Sequence, residues 1–394
     1  MMSISDQVLA VFQKQRDNAS LVALHEPYMT GDAWIYVKDC LETGWVSSTG
    51  KYVDRFEQDL AAFTDAKYAV VTVNGTAALH ICYLLAGVQT NDEVLMPTLT
   101  FVATPNAARY CQATPHFIDC ENTYLGIDVE KLSYHLKEIA IIKNKICYNK
   151  ITGRVIRALC VMHTFGHPVD LDPLIALSQQ YNFSLIEDAA EALGSIYKNR
   201  HVGHHGLVGS LSFNGNKIIT TGGGGAILTD NEMIAKKAKH LTTTAKKPHA
   251  WAYHHDMVGY NYRLPNINAA LGCAQLEKIL YFLNIKRSLA EQYRIAFSAI
   301  PHIRFLTEPA YAKSNYWLNA ILVKNIETRD TLIRKLSEEK IGVRPAWELM
   351  HQLPMFSASP RMDLSQAEKI AQQIINLPSS VSVGVNLCER KINA

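Results

Sequence analysis

The chain lacks most of the features that would place it outside the ordinary globular enzymes. No apolar run is long enough to span a bilayer. There is no internal repeat and no low-complexity linker. The net charge of +3 is too small to imply a nucleic-acid or membrane partner. Eight cysteines occur without a CxxC pair or a regular framework, so they read as reduced, mostly buried thiols of a cytoplasmic protein. The segment Met1 to Asn18 carries Asp6, Lys14 and Arg16 and no long apolar core, which predicts a short amphipathic helix and not a signal peptide. Asn18-Ala19-Ser20 and Asn182-Phe183-Ser184 are then chance matches to the glycosylation pattern. His201, His204 and His205, and the group His254-His255-Asp256, lack the spacing of a zinc site, and no metal is expected. The run Gly222 to Gly225 is not GxGxxG, and GxxxxGK[ST] is absent, which argues against a nucleotide triphosphatase.

What is present is an even alternation of strand and helix patterns. With 394 residues, 48% apolar and 19% charged, the chain can build two domains with substantial cores. Val53, Phe56, Leu60 and Phe63 have helical spacing. Tyr68 to Val73, Glu93 to Met96, Pro115 to Ile118, Ala158 to Met162 and Phe183 to Ile186 read as strands. Asp172-Pro173 predicts a capped helix start, and Lys143 to Arg157 reads as basic and irregular. This rhythm predicts an α/β fold with a large, mostly parallel sheet domain over residues 1–265. A smaller C-terminal α+β domain over 266–394 should open with one long helix, or a broken pair, from Ile267 to about Phe297.

The chemistry-bearing residues fall at the ends of these strands, where ligands bind in parallel α/β sheets. Lys217 lies in Ser212-Phe213-Asn214-Gly215-Asn216-Lys217. Asp188 and Glu191 follow the apolar run Leu185-Ile186. Gly75-Thr76-Ala77 opens a helix after a strand, where free backbone N–H groups meet an anion. These are the parts a pyridoxal phosphate (PLP) enzyme needs. Lys217 is the amine for the aldehyde, and Asp188 the carboxylate for the pyridine nitrogen. Gly75, Thr76, Ala77 and Ser212 form the phosphate cradle, and Phe101 is a flat contact for the ring. Each has a plainer reading taken alone: a surface lysine, a turn aspartate, a common Gly-Thr helix start, a core aromatic.

Together with Tyr52 to Glu57, Pro97 to Thr104, Asp119, His163-Thr164-Phe165-Gly166 and Gly259-Tyr260-Asn261-Tyr262-Arg263, these segments resemble the DegT/StrS family of nucleotide-sugar aminotransferases. The resemblance runs from about Leu24 into the C-terminal domain and implies the three-layer PLP-transferase fold of the aspartate aminotransferase superfamily. It implies that Lys217 carries the cofactor and that Glu191 lies near the ring hydroxyl, where many relatives have His or Gln. It implies that Asn261 reaches the cofactor phosphate of a neighbouring subunit, hence a homodimer with shared sites. Gly44-Trp45-Val46-Ser47 matches a sugar-nucleotide contact, and His163 and Arg263 fall on the substrate side.

A narrower match, Asn214 to Thr221 with Glu187 to Gly194, is similar to the bacillosamine and legionaminic-acid branch. Those enzymes aminate carbon 4 of a UDP-linked 2-acetamido-2,6-dideoxy-4-keto hexose with L-glutamate as donor. Rival readings are a same-fold dehydratase, which the lysine at 217 disfavours, a cyclic-ketone synthase, and a PLP-binding protein without turnover. The stretch 143–157 departs from the compact family pattern. Arg344, Trp347 and His351 read equally well as a substrate mouth or as a packed aromatic-basic surface.

Overall fold

Seven short apolar runs pair into one sheet: β1 (Tyr68–Thr72), β2 (Glu93–Pro97), β3 (Thr114–Ile118), β4 (Ile156–Met162), β5 (Ser184–Asp188), β6 (Val208–Ser212) and β7 (Gly225–Thr229). Their order is β1-β7-β6-β5-β4-β2-β3. β2 and β7 are buried along their whole length, as expected for strands covered on both faces. Strands β6 to β3 run parallel, and β7 is antiparallel to both of its neighbours. A computed structural model describes residues 4–13 and 21–385, and Asn18-Ala19-Ser20 lies outside them.

Two helical layers cover the sheet. Gly75–Leu85, Ala103–Tyr110 and Glu232–Thr242 bury Leu79, Ile81, Ala107 and Leu241 on one face. Lys51–Thr64, Val129–Ile139 and Leu171–Tyr181 bury Phe56, Leu60, Leu136 and Leu174 on the other. The chain then breaks at Glu277 and Lys278 into two helices, Asn266–Leu276 and Ile279–Ser298. The first of them packs on Ala33–Thr43 and Lys51–Thr64. A three-stranded antiparallel sheet (Arg304–Phe305, Asn319–Leu322, Ile374–Leu377) and helix Ile326–Glu338 complete the C-terminal unit.

The N-terminal helix Ile4–Gln13 belongs to that unit's core. Val8, Leu9 and Phe12 are buried among Leu289, Tyr293, Phe297 and Leu332, and Phe12 meets Tyr293 edge to face at 5.7 Å.

Two local expectations are corrected. The stretch 143–157 is ordered: Ala140–Lys143 pairs antiparallel with Ile146–Asn149. Asn144 and Lys145 turn the hairpin in left-handed conformations, φ 51 and 62, as mirror-image hairpin turns require. Its return strand is clasped to the large sheet by Asn149 Nδ2 and Thr152 Oγ1, which donate to the buried Glu93 carboxylate at 2.9 and 2.5 Å. The helix expected after Asp172-Pro173 starts earlier, at Leu171, and the Asp170 carboxylate before it accepts from Tyr197 Oη at 2.7 Å instead of capping.

Close approach in the middle of β6 sets a direct test. A methyl added at Gly209 would lie 2.2 Å from the Gly203 carbonyl oxygen, a backbone atom with no rotamer to yield. Gly209→Ala should destabilise the protein by about 1–3 kcal/mol or more, read as a lowered thermal midpoint. An unchanged midpoint would contradict the packing described.

Candidate active site

The parallel strands point their carboxyl ends at one cavity of about 300 Å³, closed on one side by the start of helix Gly75–Leu85. Side chains alternate along a strand, so the neighbours Glu187 and Asp188 face opposite ways at the end of β5. Asp188 lines the cavity. Its Oδ2 accepts from Thr104 Oγ1 at 2.7 Å and its Oδ1 from the Ala190 N–H at 3.2 Å. Burial raises its pKa, and these donors, with the nearby Lys217, oppose the shift.

Beyond β6 the loop 213–224 folds back across the strand ends and presents Lys217. Its Nζ lies 3.2 Å from Glu191 Oε1 and 3.8 Å from the centre of the Trp317 ring. Trp317 is fixed in turn by Nε1 donating to the Asn216 carbonyl at 2.6 Å. Glu191 is fully buried, and its second oxygen accepts from the Phe165 N–H at 2.9 Å. Burial pushes the Glu191 carboxyl up to about 7, although Lys217 and the Phe165 N–H act against that.

The helix start leaves free donors at the cavity. The first N–H groups of a helix have no partner within it. Asn74 Oδ1 accepts from Ala77 at 2.8 Å, so the N–H groups left over at the cavity are those of Gly75 and Thr76. Ser212 stands opposite, so close that a Cβ at Gly75 would lie 2.9 Å from the Ser212 Cβ. Pyridoxal phosphate fits these residues. A buried carboxylate, an amine and the free N–H groups of a helix start meet on one space, and a larger residue at 75 would fill the end next to Ser212.

The structure therefore brings Lys217, Asp188, Glu191, Gly75, Thr76, Ser212 and Phe101 onto one cavity. Ala77 is buried behind the helix start with its N–H spent on Asn74. His163 does not reach the cavity: its Nε2 is 3.1 Å from Glu187 Oε2, and its Nδ1 accepts from the Val169 N–H. Gly44, Trp45, Val46 and Ser47 form an exposed turn tied to Asn266, whose Nδ2 donates to the Trp45 carbonyl and whose N–H donates to that of Ser47. Asn261 is exposed, and Arg263 lies 3.4 Å from Asp54, both away from the cavity within one chain. Arg344 and Trp347 do line it, whereas His351 is buried between Thr98 and Glu368. Trp317 and Met162 line it too and carried no chemical signal in the sequence; Asn74 and Asn214 stood inside the helix-opening and Lys217 motifs.

The arrangement is that of a pyridoxal phosphate-dependent aminotransferase. Comparison with known proteins gives the particular lineage: the chain belongs to the DegT/DnrJ/EryC1/StrS aminotransferase family, which it matches over residues 28–392. It is 35% identical over 372 residues to a GDP-perosamine synthase of Escherichia coli O157:H7, covering 93% of this chain and 97% of that one. It is 36% identical over 365 residues to a GDP-perosamine synthase of Vibrio cholerae, covering 91% and 94%. Among solved structures it is similar in fold to Helicobacter pylori PseC, an aminotransferase involved in the biosynthesis of pseudoaminic acid. There the TM-score is 0.83 and the identity 23%, over 94% of this chain and 99% of that one.

The raised Glu191 carboxyl has a signed consequence. Between its ordinary value of 4.5 and about 7 the folded protein holds a proton that the unfolded chain has released. The stability this gives is complete below 4.5 and is lost as pH rises through about 7. Glu191→Gln cannot ionise, so the apoprotein's thermal midpoint should fall relative to the variant's between about pH 5 and 8. Parallel pH profiles would remove the assignment.

Proposed function

We propose that this chain transfers the amino group of L-glutamate to carbon 4 of a UDP-linked 2-acetamido-2,6-dideoxy-4-keto hexose, with pyridoxal phosphate as cofactor. The observation that carries the reading is the Lys217 amine held between Glu191 and Trp317 on the cavity that Asp188 shares. A lysine here is the group an amine transfer needs, and its presence disfavours the dehydratase alternative. The UDP-linked substrate is supported by the narrower motif match around Lys217 and Glu187 to Gly194. The relatives named GDP-perosamine synthases make a GDP-linked ketone the competing substrate.

When bound, pyridoxal phosphate supplies the electron sink that lets a carbon–hydrogen bond next to nitrogen break. The protein does the rest. Lys217 would hold the cofactor's aldehyde and afterwards carry the proton between carbon atoms. Glu191, 3.2 Å from that amine and poised near neutrality, can take or return a proton there. Asp188 would keep the pyridine nitrogen charged, and the Gly75 and Thr76 N–H groups with Ser212 would hold the phosphate. Phe101, with Trp347 at 6.1 Å between ring centres, would cover the ring.

We further read the protein as a homodimer. Asn261 is exposed beside a loop that leaves Trp251 83% and Tyr253 80% exposed, which supports an interface through which it reaches the other subunit's cofactor phosphate. Among the described residues no helix is long and apolar enough to cross a membrane, and we place the reaction in the cytoplasm.

Product mass after incubation with L-glutamate and either nucleotide ketone tests the reading. The UDP-linked ketone should be aminated with a kcat/KM on the order of 100-fold above the GDP-linked one. The reverse preference would overturn the nucleotide assignment and leave the aminotransferase intact. Lys217→Ala should lower turnover to background while the fold is retained; full activity in that variant would sink the whole proposal.

A further inference from the structure

Asp188 is backed by a relay of two buried hydroxyls. Thr104 and Thr100 are both fully buried. The Thr104 Oγ1 lies 2.7 Å from Asp188 Oδ2 and 2.9 Å from Thr100 Oγ1, and Thr100 Oγ1 lies 2.8 Å from Met162 Sδ. An ionised carboxylate can only accept, so the single Thr104 hydrogen is committed to Asp188. The lone pairs of Thr104 then face the Thr100 hydroxyl, whose one hydrogen the acceptor-only Met162 Sδ also faces.

Thr104 has little freedom to do anything else. Its N–H donates to the Phe101 carbonyl at 3.1 Å, and its own carbonyl accepts from Tyr83 Oη at 3.1 Å. It opens helix Ala103–Tyr110, whose preceding turn carries Phe101 to the cavity. One residue thus ties the ring-covering aromatic, the buried Tyr83 and the strand-end carboxylate to a common frame.

We infer that Thr104 is a positioning residue for Asp188, its hydroxyl fixing the carboxylate's orientation and holding it as an acceptor for the pyridine nitrogen of the cofactor. The inference rests on the reading of Asp188 as that nitrogen's partner. Asp188 needs such help because its surroundings are mixed. Lys217 favours its charge, whereas Glu191 in front and Cys82, Tyr83 and Cys160 behind offer no cation. A desolvated carboxylate with one hydrogen bond removed drifts toward its neutral form.

The test uses the full chain with Thr104→Val, which keeps shape and removes the hydroxyl, and Thr104→Ser, which restores it. Three quantities are read: the PLP dissociation constant of the apoprotein, the thermal midpoint, and the pH profile of the L-glutamate half-reaction, followed by loss of the visible cofactor absorbance. Thr104→Val should weaken PLP binding about 10-fold and slow the half-reaction by about 10- to 100-fold. It should also move the acid limb of the profile to higher pH, because losing a donor to the charged form favours the neutral acid. Thr104→Ser should return all three to within about 3-fold of wild type. Thr100→Val, one bond further away, should move the acid limb the same way by less, and serves if the Thr104→Val protein is poorly folded.

An unmoved acid limb with unchanged PLP affinity overturns the inference. So does a slowing that Thr104→Val and Thr104→Ser share equally, since that would mark a packing role. If wild type neither binds PLP nor reacts with L-glutamate, the aminotransferase reading itself has failed and this inference falls with it. Both half-reaction and affinity are measured without any sugar, so an error in the nucleotide assignment leaves the test untouched.

Discussion

Two carboxylates are buried side by side at the end of β5, and the centre of the molecule is arranged to satisfy both. Burying a charge is costly unless it is hydrogen-bonded. Glu187 meets that cost with four donors: His163 Nε2 and the N–H groups of Gly203, His205 and Gly206, at 2.6 to 3.1 Å. Burial alone would raise its pKa, yet the His163 bond and these amides hold it down at about 2. The price of that anchor is that the loop 203–206 must lie flat on the strand end. Asp188, on the opposite side, is left with two donors and open space. The fully bonded carboxylate and the one that faces the cavity are therefore neighbours on the two faces of one strand.

The same strand ends explain why small residues cluster where the anion belongs. β7 runs back directly beneath the start of helix Gly75–Leu85, and a Cβ at Gly225 would lie 2.6 Å from the Asn74 carbonyl carbon. With Gly75 against Ser212, this lets helix and sheet close to backbone contact. The uncapped N–H groups sit at the cavity because two glycines allow the helix down to it, while Asn74 takes the next N–H along and keeps the helix from fraying.

Part of this was readable from residue order because Asp188 and Ser212 stand at the very ends of their strands. The apolar run Leu185-Ile186 announces β5, and Glu187-Asp188 ends it. What was hidden depends on geometry that order does not carry. Met162 ends β4 on the cavity side, so alternation turns the next residue, His163, toward Glu187. Trp317 arrives from the C-terminal unit, far along the chain, with no motif to mark it. Thr104 is an ordinary threonine in a helix until the sheet places it behind Asp188. The hairpin at 140–149 turns on Asn144-Lys145, without the glycine that usually advertises a left-handed turn.

The docking of helix Ile4–Gln13 into the C-terminal core bears on how the protein comes into being. The large sheet is complete once the chain has passed Thr229, so it can assemble while the remainder is still on the ribosome. The first helix cannot settle then, because Leu289, Tyr293 and Leu332 have not yet been made. Its apolar face, with Val8 and Phe12, waits through most of synthesis for partners from the other end of the chain. This helix is thus made long before the partners that bury it.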